Sequence, residues 1–563
     1  MSTPLIQKIA DAAKTDMIAN GGQVPDKLDR IATLGTSGAY PNHTHRDLVQ
    51  RTLKEPMFQQ ALSTIKVWTT LKWKNVKQCS QFILLPHMLF AKIYQQGEVV
   101  FKQLMLGGDD SKLGRFWGQM AGTRHFQSHP VKGKRDFARR CIPIGLHGDG
   151  VTVVGCGRSW QKQCDAWSWS SLLCNETTRV SQYLIFLCFY HNRAYIAGKE
   201  TLATFYRHLR WSLNALFEGR WPTIDPDGSP IPGGSLLAGG YYAATWLIKG
   251  DLDYFQKSLG LESPGGKNHC IKCACNHSTI PWTTFHPTTS AWMNHIYDER
   301  SWRRAHPNLP EVFDVVGVGY HSIAPDWMHT KHLGCDQYCY GSVLMYLCHH
   351  VLPKAPKENL MDVWVQLEAE SKRLNIKGGY NEIRQRMFEP KSGKFPLLKG
   401  KAYEVKVLAK PLLKVWRDAM DNENRAHRNI EILLEASVQL EDLLEKHKDN
   451  FRILGDDADR FKDACFNYVA STSALGKFFH PQKVCLFHFT VKFHYMLHFA
   501  LTCHELSPRT SWCYAGEDMM MKTKSLVQSS ARGTSYEQLV GKVMSKYSVA
   551  LSLEIMGKAQ WWR

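Results

Sequence analysis

Residues 141–251 constrain the fold more than any other stretch of the sequence. Three apolar, strand-length segments precede one long helix-period segment, and a fourth apolar strand follows it. CIPIGLHGDGVTVVG (141–155) reads as a long strand or strand pair with glycines at a bend. AWSWSSLL (166–173) alternates Trp and Ser with period two, which predicts a half-buried strand. YLIFLCFY (183–190) predicts a buried strand. KETLATFYRHLRWSLNALFEG (199–219) then places Leu202, Phe205, Tyr206, Leu209, Leu213 and Leu216 at helical spacing. After a Pro- and Gly-rich loop (222–240), YYAATWLIKGD (241–251) returns to strand. This order predicts an α/β fold, a mixed sheet packed by helices.

The flanking regions read differently. Residues 1–139 have a helix-like pattern with polar breaks, ending at the HPVKGK turn, and are expected to be a basic, mainly helical N-terminal region for DNA binding or dimerisation. The core is expected over 140–260, a mainly helical insertion containing a zinc knuckle over 261–485, and the return to the core over 486–563. Within the insertion, RNIEILLEASVQLEDLLEKHKD (428–449) has acids between apolar residues at three-to-four spacing, a surface helix or a helix-pair partner.

Composition excludes several classes. Lys and Arg number 70 against 51 Asp and Glu, a formal charge of +19 that favours a polyanionic partner. Of that surplus, +11 lies in residues 51–140, where VWTTLKWKNVK (67–77) and KLGRFWGQM (112–120) interleave aromatics with cations. Lys72, Lys74, Lys77, Arg115, Lys132, Lys134 and Arg135 are the candidate phosphate contacts there. A solvated basic face is the simpler alternative. KGKRDFARR (132–140) has the composition of a nuclear import signal. No apolar run is long enough to span a bilayer, and the first residues lack the apolar segment of a secretory signal, so no membrane association is expected. Sixteen cysteines in 563 residues are too few for a disulfide scaffold and fit thiols or metal ligands.

Two acids stand at strand ends. Asp149 lies in IGLHGDG, where an unpaired charge is expensive, and Asp251 closes WLIKGD ahead of the helical LDYFQKSLGL. Carboxylates so placed suit two divalent ions about 3.5–4 Å apart, which stabilise the attacking and leaving oxygens of phosphoryl transfer. Taken singly, each is also explained as a turn or helix-cap Asp.

Nineteen residues after Asp251 comes Cys270-x₂-Cys273, half of a tetrahedral zinc site. His494 and His498, four apart and on one helix face, are candidates for the other half. Cys275, His269, His277 and His488 compete for the same role. Nineteen residues past His498, Glu517 is followed within two turns by Lys522 and Lys524, an acid for a metal with lysines for phosphate.

The order Asp149, Asp251, Cys270-x₂-Cys273, Asp326-x₂-His329, His494-x₃-His498, Glu517 resembles the DDE transposases of the CACTA/Mirage/Chapaev group. More distantly it is similar to the catalytic subunit of the V(D)J recombinase. IKGD, APDWMHTKHLG and GEDMMMKTKSL carry the likeness, which covers residues 141–535. The resemblance implies a ribonuclease-H-like sheet interrupted by a large helical insertion, with the C-x₂-C and the two histidines binding a structural Zn²⁺. It implies that Asp149, Asp251 and Glu517 bind two Mg²⁺ (or Mn²⁺) ions, with His329 near the scissile phosphate and Asp326 supporting it. Asp326 is the alternative second metal-binding acid. The expected activity is hydrolysis at a transposon end followed by strand transfer, on double-stranded DNA, in the nucleus, by a homo-oligomer. The alternatives are a catalytically silent descendant that binds DNA and a structural zinc protein in which the acids are caps and turns.

Overall fold

A computed structural model describes residues 3–48, 61–70, 76–152, 163–174, 185–192, 198–390, 393–531 and 536–562. The described strands form two sheets. β1 (Leu62–Thr70) and β2 (Val76–Leu84) make an antiparallel hairpin. β3 (Cys141–Thr152), β4 (Gln163–Ser171), β5 (Ile185–Asn192), β6 (Tyr242–Gly250) and β7 (Ile323–Pro325) make a sheet of order β5-β4-β3-β6-β7. β3, β4 and β5 are successively antiparallel, whereas β6 and β7 run parallel to β3. The mixed α/β class is therefore as the periodicities predict.

Both faces of this sheet are covered. Every residue of β6 is buried. Trp167 and Trp169 of β4 are buried, and so is Ser168 between them, so the Trp/Ser alternation marks a fully buried strand instead of a half-exposed one. Trp167 packs against Phe189 and Phe205, joining the sheet to the helix Gly198–Glu218, whose Phe205, Tyr206, Leu209, Leu213 and Leu216 all face inward. The C-terminal helix Tyr536–Trp562 is fastened to β5 by the Tyr547 hydroxyl, 3.0 Å from the Leu187 amide.

Three expectations are corrected. Residues 62–70 and 76–84 are a pair of antiparallel strands within the region read as helical. Their β-branched and aromatic residues gain cross-strand partners that the local pattern does not reveal. The helix Ser111–Met120 does not belong to a separate N-terminal unit: Trp117 bonds the Cys141 carbonyl at 2.8 Å and packs edge-on to Trp246 of β6. Finally, β7 belongs to the main sheet yet lies inside 261–485, because a three-residue strand is too short to show a period. The mainly helical part of that range follows it, from Asp336–Tyr346 through the long pair Arg425–Lys446 and Asp457–Phe479.

Candidate functional site

The parallel strands β3, β6 and β7 bring three acids level at one end of the sheet. His147 pairs with Lys249, so Asp149 and Asp251 each lie two residues past the same rung. Gly250 pairs with Pro325, and the Asp326 amide donates to the Gly250 carbonyl at 3.2 Å. Ligands of open α/β sheets bind at such carboxyl ends. Asp251 also caps the helix Leu252–Leu259, accepting the Tyr254 amide at 2.7 Å.

Glycines allow the close approach. A Cβ on Gly148 would lie 2.0 Å from the Tyr254 ring, and one on Gly250 would lie 2.4 Å from it, so Tyr254 rests directly on both strands. A Cβ on Gly516 would meet His147 at 2.6 Å. Gly516 thus seats the helix Tyr514–Ala531 on β3 and brings the Glu517 carboxyl near enough for its charge to act on Asp149. Burial, then the charges of Glu517 and Asp251, push Asp149 up to about 8, with His329 opposing them. Burial likewise raises Glu517.

Asp326 and His329 occupy one corner of this cluster. The Asp326 side chain is wholly enclosed and accepts the Met328 amide (2.9 Å), the His329 amide (3.3 Å), the Cys513 amide (2.9 Å) and His329 Nδ1 (2.5 Å). His329 Nε2 lies 3.4 Å from Glu517 Oε1. Burial disfavours the imidazolium, but the bond to Asp326 and the charges of Asp326, Glu517 and Asp251 prevail and raise His329 to about 9. These groups favour the imidazolium form of His329, and Asp326, with its lone pairs engaged, orients the ring.

A second cluster lies between the loop after Leu259 and the helix Val491–Thr502. Cys270 Sγ is 3.3 Å from His498 Nε2, Cys273 Sγ is 3.2 Å from His494 Nε2, and the two Nε2 atoms are 3.1 Å apart. All four side chains are buried, and their ligand atoms lie within 4.8 Å of one another. Zn–S near 2.3 Å and Zn–N near 2.0 Å put the corners of a tetrahedral site about 3.3–3.8 Å apart. The Cys₂His₂ set can hold a zinc ion. The competitors have other roles: His269 packs on His277, and His488 stacks on Phe395. Cys275 is a buried thiol beside the cluster. The described cysteines are all free thiols.

The basic residues are dispersed. Lys72 and Lys74 lie outside the described residues. Lys77 is exposed on β2, on a hairpin that also exposes Trp68. Arg115 is 3.7 Å from Asp109, and its neighbours Phe116 and Trp117 are core residues, so they offer no stacking surface. Lys132 bonds the Gln127 carbonyl. Lys134 donates to the Phe217 carbonyl at 2.7 Å and lies over the Tyr242 ring, which places it where β6 begins. Lys132, Lys134 and Arg135 therefore precede the start of β3, and Asp149 lies eight residues further along, about 26 Å at strand rise. Lys522 and Lys524 are partly buried on the Glu517 helix.

Sequence reasoning missed Tyr254, Cys513, Tyr514, His332 and Glu441. Glu441 lies in the segment read as a surface or pairing helix, but its side chain points inward, to Lys331 and His332. The polar HTKH following DWM, in an otherwise apolar stretch, was the available signal. No protein-family model and no curated protein matches the chain. Among the described residues, no helix is long and apolar enough to cross a membrane.

Proposed function

We propose that the chain is a DDE-type DNA transposase that cleaves phosphodiesters and transfers strands with two divalent ions. The observation that carries this reading is the convergence of Asp149, Asp251 and Glu517 from a central strand, its parallel neighbour and a helix packed on that strand. The strand order β5-β4-β3-β6-β7, with its antiparallel half and its parallel half, is the order of a ribonuclease-H-like sheet and supports the same reading.

The acids fit divalent ions by their chemistry. They form an all-oxygen donor set in which burial first, and the charges of Glu517 and Asp251 second, lift Asp149 to about 8, and a bound cation would offset both. Asp149, Asp251 and Glu517 would hold Mg²⁺ or Mn²⁺, which supplies positive charge to the attacking and leaving oxygens when bound. The chain's own groups do the rest. His329, oriented by Asp326, directs Nε2 toward the same space, where an Nε2–H would donate to a phosphate oxygen. Lys522 and Lys524, one to two turns beyond Glu517, extend positive charge along the helix. Lys72, Lys74, Lys77, Arg115, Lys132, Lys134 and Arg135 would hold DNA phosphates, fixing position more than sequence. The Cys₂His₂ cluster, filled by Zn²⁺, would clamp the helix Val491–Thr502 to the loop behind β6. Action in the nucleus and homo-oligomeric assembly belong to the same proposal.

The test is nicking of supercoiled plasmid in Mg²⁺ or Mn²⁺. Asp149→Ala, Asp251→Ala and Glu517→Gln should each abolish metal-dependent nicking while zinc content is retained. DNA bound but uncut by every sample, wild type included, would favour the silent DNA-binding descendant. Activity surviving in all three variants would refute the assignment of the acids.

A further inference from the structure

Past β7, the segment Met328–Cys335 carries a lysine whose side chain has no exposed surface. The Lys331 ammonium donates to Asp336 Oδ2 and Ser437 Oγ, each at 2.9 Å, and lies 3.0 Å from Glu441 Oε1. A buried ammonium persists only with such partners. Glu441 Oε1 also meets His332 Nε2 at 2.9 Å, and His332 Nδ1 meets the Tyr514 hydroxyl at 2.7 Å. A carboxylate only accepts, so His332 carries a proton on Nε2, and its Nδ1 shares the second hydrogen bond with the Tyr514 hydroxyl. Tyr514 opens the helix of Glu517, three residues ahead of it.

The path therefore starts on the insertion helix Arg425–Lys446 and ends on the first residue of the acid-bearing helix. A network that only filled the insertion's interior would close on itself. This one crosses to the residue beside Cys513, whose amide Asp326 already holds. Both tethers fix the start of one helix, and the pitch of that helix sets where the Glu517 carboxyl sits against Asp149.

We propose that Glu441, His332 and Tyr514 are positioning residues through which the helical insertion sets the placement of Glu517 relative to Asp149. The functional consequence rests on the two-metal reading of the acids. The test is Mn²⁺ binding to the full chain by electron paramagnetic resonance, with Asp149→Ala as the background, alongside the Mg²⁺ concentration for half-maximal nicking. Tyr514→Phe deletes one oxygen and is the deciding variant; Glu441→Gln weakens the support of a buried ammonium and accompanies it. Each should weaken Mn²⁺ binding by up to about 10-fold, the lower end of what losing a ligand's direct supporting bond costs, because these residues act on Glu517 through its helix. Zinc content should stay unchanged in Tyr514→Phe. The double variant should be no weaker than the worse single one, because both cut one path. Unaltered Mn²⁺ affinity and Mg²⁺ dependence in Tyr514→Phe would overturn the proposal. Wild-type protein that neither binds Mn²⁺ nor nicks DNA would overturn the nuclease reading on which it rests.

Discussion

The Asp326 carboxylate accepts the backbone amide of Cys513 at 2.9 Å, across 187 residues of sequence. Together with its bond to His329 Nδ1, this makes one enclosed acid the joint between the segment after β7 and the helix that carries Glu517. An enclosed carboxylate with four donors is suited to fixing neighbours and poorly suited to an open metal position. Its removal would strand three amides and the His329 imidazole. Asp326→Ala should lower the unfolding free energy by about 3–5 kcal/mol, the usual loss when one partner of a buried pair is deleted. Asp326→Asn, which keeps one carbonyl acceptor, should lose about 1–3 kcal/mol. Urea titration of both variants checks the difference, and equal losses would contradict it.

Without divalent ions, stability should fall as pH rises from 6.5 to 9. Asp149 is raised from 3.8 to about 8, so its contribution is complete below pH 3.8 and is lost as pH climbs through about 8. His329 is raised from 6.5 to about 9, so its contribution is complete below pH 6.5 and is lost through about 9. Both slopes have the same sign. Thermal melts in buffer without added divalent cations should show the fall, Mn²⁺ should reduce it, and Asp149→Asn should flatten it. A melting temperature that climbs over this range would refute the assignment.

Zinc at the Cys₂His₂ cluster should couple to folding, because a structural site contributes its binding energy to the folded state. Cys273→Ser and His494→Ala remove ligands from opposite sides of the cluster, 221 residues apart. Each should release the ion, measured as metal per chain by mass spectrometry, and lower the melting temperature. Full zinc content in both variants would rule out the site.

Two glycines should respond oppositely to a methyl group. Gly148→Ala drives a Cβ to 2.0 Å from the Tyr254 ring, overpacking that typically costs about 1–3 kcal/mol. Gly114, exposed in the helix Ser111–Met120, has nothing within 4 Å of its virtual Cβ. Gly114→Ala should stabilise by up to about 1 kcal/mol through helix propensity alone. Chemical denaturation of the pair checks both signs.

The order of strands and helices over 141–251, the placing of Asp149 and Asp251 near strand ends, and the two halves of the Cys/His set were all legible in the sequence. Each is local. A strand's alternation or a helix's three-to-four spacing is imposed by the environment of its own faces, so near neighbours in the chain report it. Which partner lies across a face is not local, and only the tertiary structure decided it. It seated the three-residue β7 beside β6, where no periodicity could mark it. It joined Cys270 to His498 over 228 residues and turned His269 and His488 elsewhere. It enclosed Asp326 beneath His329 while Asp251, reading equally as an acid after a strand, capped a helix at the edge of the cluster. It also turned Glu441 inward from a helix whose pattern reads as a surface, because the buried ammonium of Lys331 needed a counter-charge that only a distant helix could bring.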